Sequence, residues 1–360
     1  LIISLPLARI ILLEKMNKNW WKITTVLLLL FTVVYSFSTW LQPGIVSVSE
    51  SELKPNENKI IVTGYNTDFT KSNETFPFPI VYIYKENTDE GFCVNDVERI
   101  DATHLGLNFD VPAGYNGLFD LAIYYSEDVL VYPSAFSMNE IQKDVFGSEC
   151  DSPEGKSYDP PHPNAFPNQP ILQESIRNLM FHVPMWFSMM LLFIISIVYS
   201  IKYLRTNNAD FDRIASMAIN VGLIFGLLGV ATGSLWARFT WLNWWVYEDP
   251  KLNGSALTVI IYLAYIILRN SINEDQKRAR LAAVYNIFAF TMMLVFIWVV
   301  PRMVDSLHPG NGGNPAFSNY DLDSSLRMVF YPAVLGWMGL SILILNLRIR
   351  IQKINETLEN

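Results

Sequence analysis

The stretch Trp236-Ala-Arg-Phe-Thr-Trp-Leu-Asn-Trp-Trp-Val-Tyr-Glu-Asp-Pro-Lys-Leu252 holds four of the chain's ten tryptophans and lies between two long apolar segments. Tryptophan is common where a helix leaves a bilayer, because its ring is apolar and its N–H seeks water. A connection so dense in aromatics that also carries Arg238, Asp249 and Lys251 asks for more than an interface. It reads as a flat aromatic shelf for a large planar ligand with an apolar face and ionised groups.

Outward from this loop the chain is that of a membrane protein. Its 360 residues are 51% hydrophobic, 14% aromatic and only 17% charged, more apolar than a soluble domain. A spanning helix needs about 20 mostly apolar residues. Trp20–Leu41, Leu179–Leu204, Ile214–Leu235, Ala256–Leu268 with its flanks, Leu281–Val300 and Met328–Leu347 meet or approach that length.

Lysine and arginine set the orientation, since cytoplasmic loops retain positive charge. Lys15, Lys18 and Lys22 precede the first span, and Lys202, Arg205 and Arg213 join the second to the third. Lys277, Arg278 and Arg280 join the fourth to the fifth, and Arg348, Arg350 and Lys353 follow the sixth. Both termini are therefore expected in the cytoplasm, with residues 43–177, the aromatic loop and the loop around His308 outside. Met16 reads as a natural start, so residues 1–15 are either an upstream extension or a short cytoplasmic tail.

Residues 43–177 differ in kind. Roughly two thirds of all Asp and Glu fall here, so the net charge of −8 is mainly this region's. The runs Lys59–Tyr65, Pro79–Tyr84, Leu105–Val111 and Leu118–Tyr125 are rich in β-branched and aromatic residues and are parted by turn formers. That pattern predicts a small antiparallel β-sandwich. Asp151–Pro170, with Pro160-Pro161-His162-Pro163, reads as a stiff linker back to the membrane. The only cysteines, Cys93 and Cys150, both lie here on the oxidising side and are either a disulfide pair or two free thiols.

The predicted architecture is an all-α polytopic membrane protein (six transmembrane helices) with an inserted extracytoplasmic β-sandwich-like domain. Its parts are a cytoplasmic tail 1–19, a first transmembrane helix 20–42, the β-rich domain and linker 43–177, a five-helix domain 178–347 and a cytoplasmic tail 348–360.

Four histidines are present. His104 and His162 read as surface or turn residues of the insert. His182, in Phe181-His182-Val183-Pro184, opens the second span at its outer end, and His308, in Ser306-Leu307-His308-Pro309, follows the outer end of the fifth. A histidine at the edge of a span defaults to a functional role. Two imidazoles at the depth of an aromatic loop suggest an iron porphyrin with histidine axial ligands, against a plainer pair bonded to backbone. Porphyrin propionates need cations, and Arg177, Arg238, Lys251 and Arg302 lie near the membrane on the same side. Lipid phosphates would suit the same cations.

With these residues in view, Gly233–Leu252 resembles the tryptophan-rich "WWD" signature of the haem-handling WWD-domain family of cytochrome c maturation, in its cytochrome c maturation protein C (CcmC)/CcsA-like branch. Gly233, Ser234, Trp236, Trp241, Trp244, Trp245, Asp249, Lys251 and Leu252 fit the pattern, Tyr247 falls near its last aromatic place, and Glu248 is one residue extra. His182-Val183-Pro184 and Ser306-Leu307-His308 resemble the family's two haem-ligating histidine motifs. The enlarged segment between the first two spans departs from it.

The resemblance implies a haem-binding protein of the bacterial inner membrane that takes haem b as transient cargo on His182 and His308. Trp236, Trp241, Trp244, Trp245, Tyr247 and Asp249 would surround it, and haem would pass to a membrane-anchored haem chaperone. A small single-span subunit, ATP-binding cassette subunits and the lipid bilayer are the other implied partners; nucleic acid is not one. Haem handling and transfer is not an enzymatic turnover. The alternatives are a haem-handling subunit of a cytochrome c synthetase, whose sister branch carries further histidines inside its spans, and a permease for another amphiphile. The chain holds no P-loop, C-x-x-C or C-x-x-C-H pattern, which counts against ATP hydrolysis, thioredoxin-like chemistry and a c-type cytochrome.

Overall fold

The computed structural model describes residues 4–54, 57–71, 78–85, 91–111, 116–125, 128–138, 165–169, 172–304, 306–308 and 322–359. The chain forms two compact units: Leu1–Ser38 together with Ser175–Asn360, and Thr39–Glu174. The first unit is thus interrupted in sequence by the second.

The first unit is helical. Its elements are α1 (Ser4–Ser38), α2 (Leu179–Thr206), α3 (Ala209–Thr240), α4 (Pro250–Asn270), α5 (Asp275–Leu294), a π-helical turn Val295–Val299 leading into α6 (Val300–Met303), and α7 (Ser324–Glu359). Among the described residues, six helices are long and apolar enough to cross a membrane. Large apolar side chains such as Leu27, Val34, Ile260 and Ile267 point outward, while small and polar residues line the seams. That is the arrangement expected when the solvent is lipid and close packing holds helices together.

Local chemistry explains the helix ends. Asn207 ends α2 in the left-handed region at φ 53°, and Asn208 caps α3 by accepting the N–H of Asp210 at 2.9 Å. Asparagine suits both places, because its short amide stabilises left-handed backbone and caps helix N-termini. The two helices therefore run antiparallel after a two-residue turn. At α4, Asp249 is the cap and Pro250 the first helical residue, where its missing N–H goes unmissed. This sets the start of the fourth span, which apolar content alone left short.

A glycine stripe lets α2 and α3 approach. A Cβ at Gly222 would fall 2.6 Å from the Phe193 ring, one at Gly226 2.7 Å from Met189 Sδ, one at Gly229 2.9 Å from Trp186 and one at Gly233 2.6 Å from His182 Cε1. Small residues at this spacing permit backbone contact that larger ones forbid. The stripe ends at His182 and so fixes where that ring sits. Deeper in the bundle, Asn286 Nδ2 donates to Ser196 Oγ at 2.8 Å and to Ser200 Oγ at 2.9 Å, and Ser196 donates to the Ala215 carbonyl. This buried knot ties α5 to α2 and α3. Arg269 and Asp212 form a two-pronged ion pair, at 2.7 and 2.6 Å, between the end of α4 and the start of α3.

The second unit contains strands β1 (Gly44–Val48), β2 (Asn58–Tyr65), β3 (Ile80–Lys85), β4 (Gly91–Val94), β5 (Asp96–Arg99), β6 (His104–Phe109), β7 (Gly117–Tyr125) and β8 (Asp128–Met138). They form two antiparallel four-stranded sheets, ordered β1-β2-β6-β5 and β4-β3-β7-β8. Ile60, Val62, Leu105 and Leu107 of one sheet share a buried cluster with Val81, Ile83, Leu121 and Ile123 of the other. The alternation is that of strands with one buried face.

The four runs read from sequence lie on β2, β3, β6 and β7. The strands they missed have weaker signals. β4 and β5 have four residues each on either side of Asn95, and β8 carries Pro133 and a left-handed Ser134 at φ 49°. Cys93 is disulfide-bonded. Cys150, His162 and the linker's Pro160-Pro161-His162-Pro163 lie outside the described residues.

Candidate functional site

His182 stands in the first turn of α2. Its Nδ1–H donates to the Gly229 carbonyl at 3.0 Å, with Thr232 Oγ1 at 3.2 Å from the same nitrogen. A carbonyl only accepts, so this bond places the proton on Nδ1 and leaves the Nε2 lone pair as the ring's basic position. Asn178 Nδ2 donates to the Thr232 carbonyl at 3.0 Å, anchoring the entry to α2 against the same turn of α3. Trp186, one turn along α2, meets the His182 ring edge-on at 6.3 Å between centroids.

The structure brings His308 to this ring. The two imidazole centroids are 6.1 Å apart with planes inclined at 45°. Trp236 lies 6.0 Å from His308, and Trp241 meets Trp236 edge to face at 5.0 Å and 75°. These two indoles therefore form a corner beside His308, where the sequence reading had a flat shelf. A loop whose Leu242 adopts φ 59° turns successive side chains in different directions. Trp244 and Tyr247 are 59% and 79% exposed. Trp245 turns back, its Nε1 donating to Asn253 Oδ1 at 3.3 Å, and Asn253 donates to the Tyr247 carbonyl at 2.6 Å.

Asp249 joins the aromatic loop to the histidine segment. Oδ1 accepts the N–H groups of Lys251 and Leu252 at 2.9 and 3.0 Å. Oδ2 accepts the Ser306 hydroxyl and the Leu307 N–H, each at 2.8 Å. The His308 N–H donates to Ser306 Oγ at 3.1 Å, and Lys251 Nζ donates to the His308 carbonyl at 3.2 Å. Burial pushes the Asp249 carboxyl up, but the donors on Leu252, Ser306, Leu307 and Lys251 outweigh it and hold the group below its ordinary value.

The four membrane-proximal cations all donate to backbone carbonyls: Arg177 to Ser36, Arg238 to Leu242, Arg302 to Trp298, and Lys251 to His308. Arg302 also lies 5.1 Å from the centroid of the Trp298 ring. Only Lys251 is thereby tied directly to the histidine segment. His104 bonds Asp101 at 2.9 Å at the partly exposed start of β6, in keeping with a surface role.

Sequence reasoning missed Gly229, Thr232 and Trp186, and named Gly233 and Ser306 as motif positions without their contacts to His182 and Asp249. The glycine spacing 222, 226, 229, 233 was readable as a close-packing stripe. The partnership of Ser306 with Asp249 joins residues far apart in sequence and left no local signal.

Residues 160–308 match the family model described as Cytochrome C assembly protein. The match begins in the linker, ends at His308, and takes in both histidines and the aromatic loop. Heme exporter protein C of Paracoccus denitrificans is 24% identical over 136 residues, 38% of this chain and 56% of that protein. Heme exporter protein C of Bradyrhizobium diazoefficiens is 31% identical over 111 residues, 31% of this chain and 41% of that protein. Cytochrome c biogenesis protein CcsA of Prochlorococcus marinus is 31% identical over 83 residues, 23% of this chain and 26% of that protein. The chain spans about half or less of the length of these curated relatives. Over these stretches the chain is similar to CcmC- and CcsA-type cytochrome c biogenesis proteins.

Proposed function

We propose that this protein binds haem at the extracytoplasmic face of the bacterial inner membrane and passes it to a membrane-anchored haem chaperone during cytochrome c biogenesis. The observation that carries the reading is the His182–His308 pair, 6.1 Å between ring centroids. Two imidazoles binding one metal ion from opposite sides, each through a nitrogen about 2 Å away, have ring centres about 6 Å apart. His182 already has the tautomer that a metal ligand needs, with Nδ1–H held by Gly229 and Nε2 left as the nitrogen that would bind iron.

Haem b is the cargo, and its iron supplies the two axial positions that these nitrogens fill. Trp236 and Trp241 flank the His308 side, and Trp244, Trp245 and Tyr247 form the outer rim. Arg177, Arg238, Lys251 and Arg302 are the propionate contacts in this reading, as cations near the histidine pair. Release requires only that an incoming ligand replace one imidazole, so the protein's part is holding and presenting, not bond-making.

The lysine and arginine distribution supports cytoplasmic termini and periplasmic placement of the insert and the haem site. The bonded state of Cys93 fits that oxidising side, with Cys150 as its partner. The two sheets of Thr39–Glu174 make a β-sandwich-like domain, and tail 1–19, helix 20–42, insert 43–177, helical domain 178–347 and tail 348–360 are the functional divisions. A small single-span subunit and ATP-binding cassette subunits complete the assembly in the lipid bilayer.

The test is transfer. The chain is co-expressed with a membrane-anchored haem chaperone, and covalent or tightly held haem on the chaperone is measured. Wild type loads the chaperone, and the His182→Ala, His308→Ala double variant does not; equal loading by both contradicts the proposal. The CcsA relatives favour a second reading, a haem-handling subunit of a cytochrome c synthetase. It requires ligation of haem to an apocytochrome in the absence of any chaperone.

A further inference from the structure

Asp249 is 3% exposed and engages four donors, two from the first turn of α4 and two from the segment that carries His308. Residues 306–308 have no regular secondary structure, so their backbone N–H groups depend on acceptors from elsewhere. Leu307 finds one in Asp249, and His308 finds one in Ser306, which Asp249 itself holds. A carboxylate at a helix N-terminus is also favoured by the partial positive charge there. It is therefore a fixed point on α4 from which the adjoining backbone is hung.

We infer that Asp249 is a positioning residue for His308 rather than a contact for the ligand. One of its oxygens caps α4, and the other holds the 306–308 segment so that the His308 imidazole faces His182. This inference rests on the haem reading and gives Asp249, at the end of the aromatic loop, a mechanical task within it. The other acidic residue there, Glu248, is exposed and makes none of these bonds among the described residues.

The two tasks are separable by substitution. Asparagine is as good a helix cap as aspartate, so Asp249→Asn keeps the cap through its amide oxygen. Its NH₂ group cannot accept from Ser306 or Leu307, so the hold on His308 is lost. Ser306→Ala removes one of those two bonds without touching the cap.

The experiment is visible spectroscopy of full-length protein purified with haem. The expected result for Asp249→Asn is retained Soret absorbance with loss of the six-coordinate low-spin spectrum, regained on adding free imidazole. Ser306→Ala should shift in the same direction by a smaller amount. A low-spin spectrum in Asp249→Asn equal to that of wild type overturns the inference alone. So does a loss of haem that imidazole does not restore while Ser306→Ala stays at wild type, since that describes a structural cap only. Absence of a histidine-dependent Soret band in wild type overturns the haem reading and this inference together.

Discussion

Gly233 lies against His182 so closely that a Cβ there would fall 2.6 Å from the ring's Cε1 and 3.2 Å from Nδ1. The imidazole is thus wedged between the α3 backbone and its hydrogen bond to Gly229. Alanine favours helix over glycine by about 1 kcal/mol, so Gly233→Ala should stabilise an isolated α3 while displacing the ring. We expect haem recovered with the protein to fall at least severalfold in Gly233→Ala. Gly226→Ala, whose added Cβ would crowd the flexible thioether of Met189 at 2.7 Å and meet Val259 at an ordinary 3.6 Å, should stay near wild type. Equal haem content in the two variants would show that the close approach does not set the ligand.

Thr232 adds a second polar partner to His182 Nδ1. Thr232→Val keeps the shape and leaves the Gly229 carbonyl in place. A single neutral hydrogen bond is worth about 0.5–1.5 kcal/mol, so haem affinity should weaken by up to about tenfold. Competition with a soluble haem scavenger measures it.

The Asn286 knot makes a prediction about stability, apart from haem. Asn286→Ala leaves the Ser196 and Ser200 hydroxyls without the amide that joins them. Interhelical hydrogen bonds of this kind contribute about 0.6 to 1.7 kcal/mol, so the midpoint of detergent-induced unfolding should fall by a matching amount. An unchanged midpoint would mean that the knot is not part of what holds α5 to α2.

In the inserted unit, backbone donation from Thr103, followed by the His104 side chain, holds the Asp101 carboxyl down at about 2. A carboxyl depressed in the folded state contributes stability above its unfolded value of 3.8, and that contribution is lost as pH falls through about 2. Carbon-13 NMR of the Asp101 side chain in the full-length protein should show a titration midpoint near 2. A midpoint at the ordinary carboxyl value would contradict these bonds.

Cys93 should resist thiol-labelling reagents until a reductant is added. With Cys150 as its partner, Cys150→Ser makes Cys93 labelable without reductant; continued protection would send the pairing elsewhere, to another molecule.

The membrane part was legible in the sequence because lipid imposes a simple demand, long apolar runs parted by charged loops. Each of the six expected spans overlaps one of the six apolar helical segments, the fifth running from α5 through the π-helical turn into α6 and the first ending at Ser38 rather than Leu41. The ends were less legible, since the start of α4 depends on Asp249 and Pro250 as cap and first residue. In the insert, long alternating strands such as β2 and β7 announced themselves. β4 and β5 are too short for alternation to register, and Pro133 masked β8. The two histidines and the aromatic loop could be named from sequence because their residue types are unusual at a span's edge. The contacts that hold them, from Gly229, Gly233 and Ser306, could not, because backbone carbonyls, missing side chains and long-range partners have no residue-type signature.

The account's central claim is that His182 and His308 bind one iron between them. Its most direct measurement is the visible spectrum of the full-length protein purified from haem-replete cells, compared with His182→Ala and His308→Ala. The account predicts a low-spin spectrum with two imidazole ligands in wild type, lost in either single variant and restored by added imidazole. A wild-type protein with no Soret band, or a band unaltered when both histidines are replaced, would contradict it.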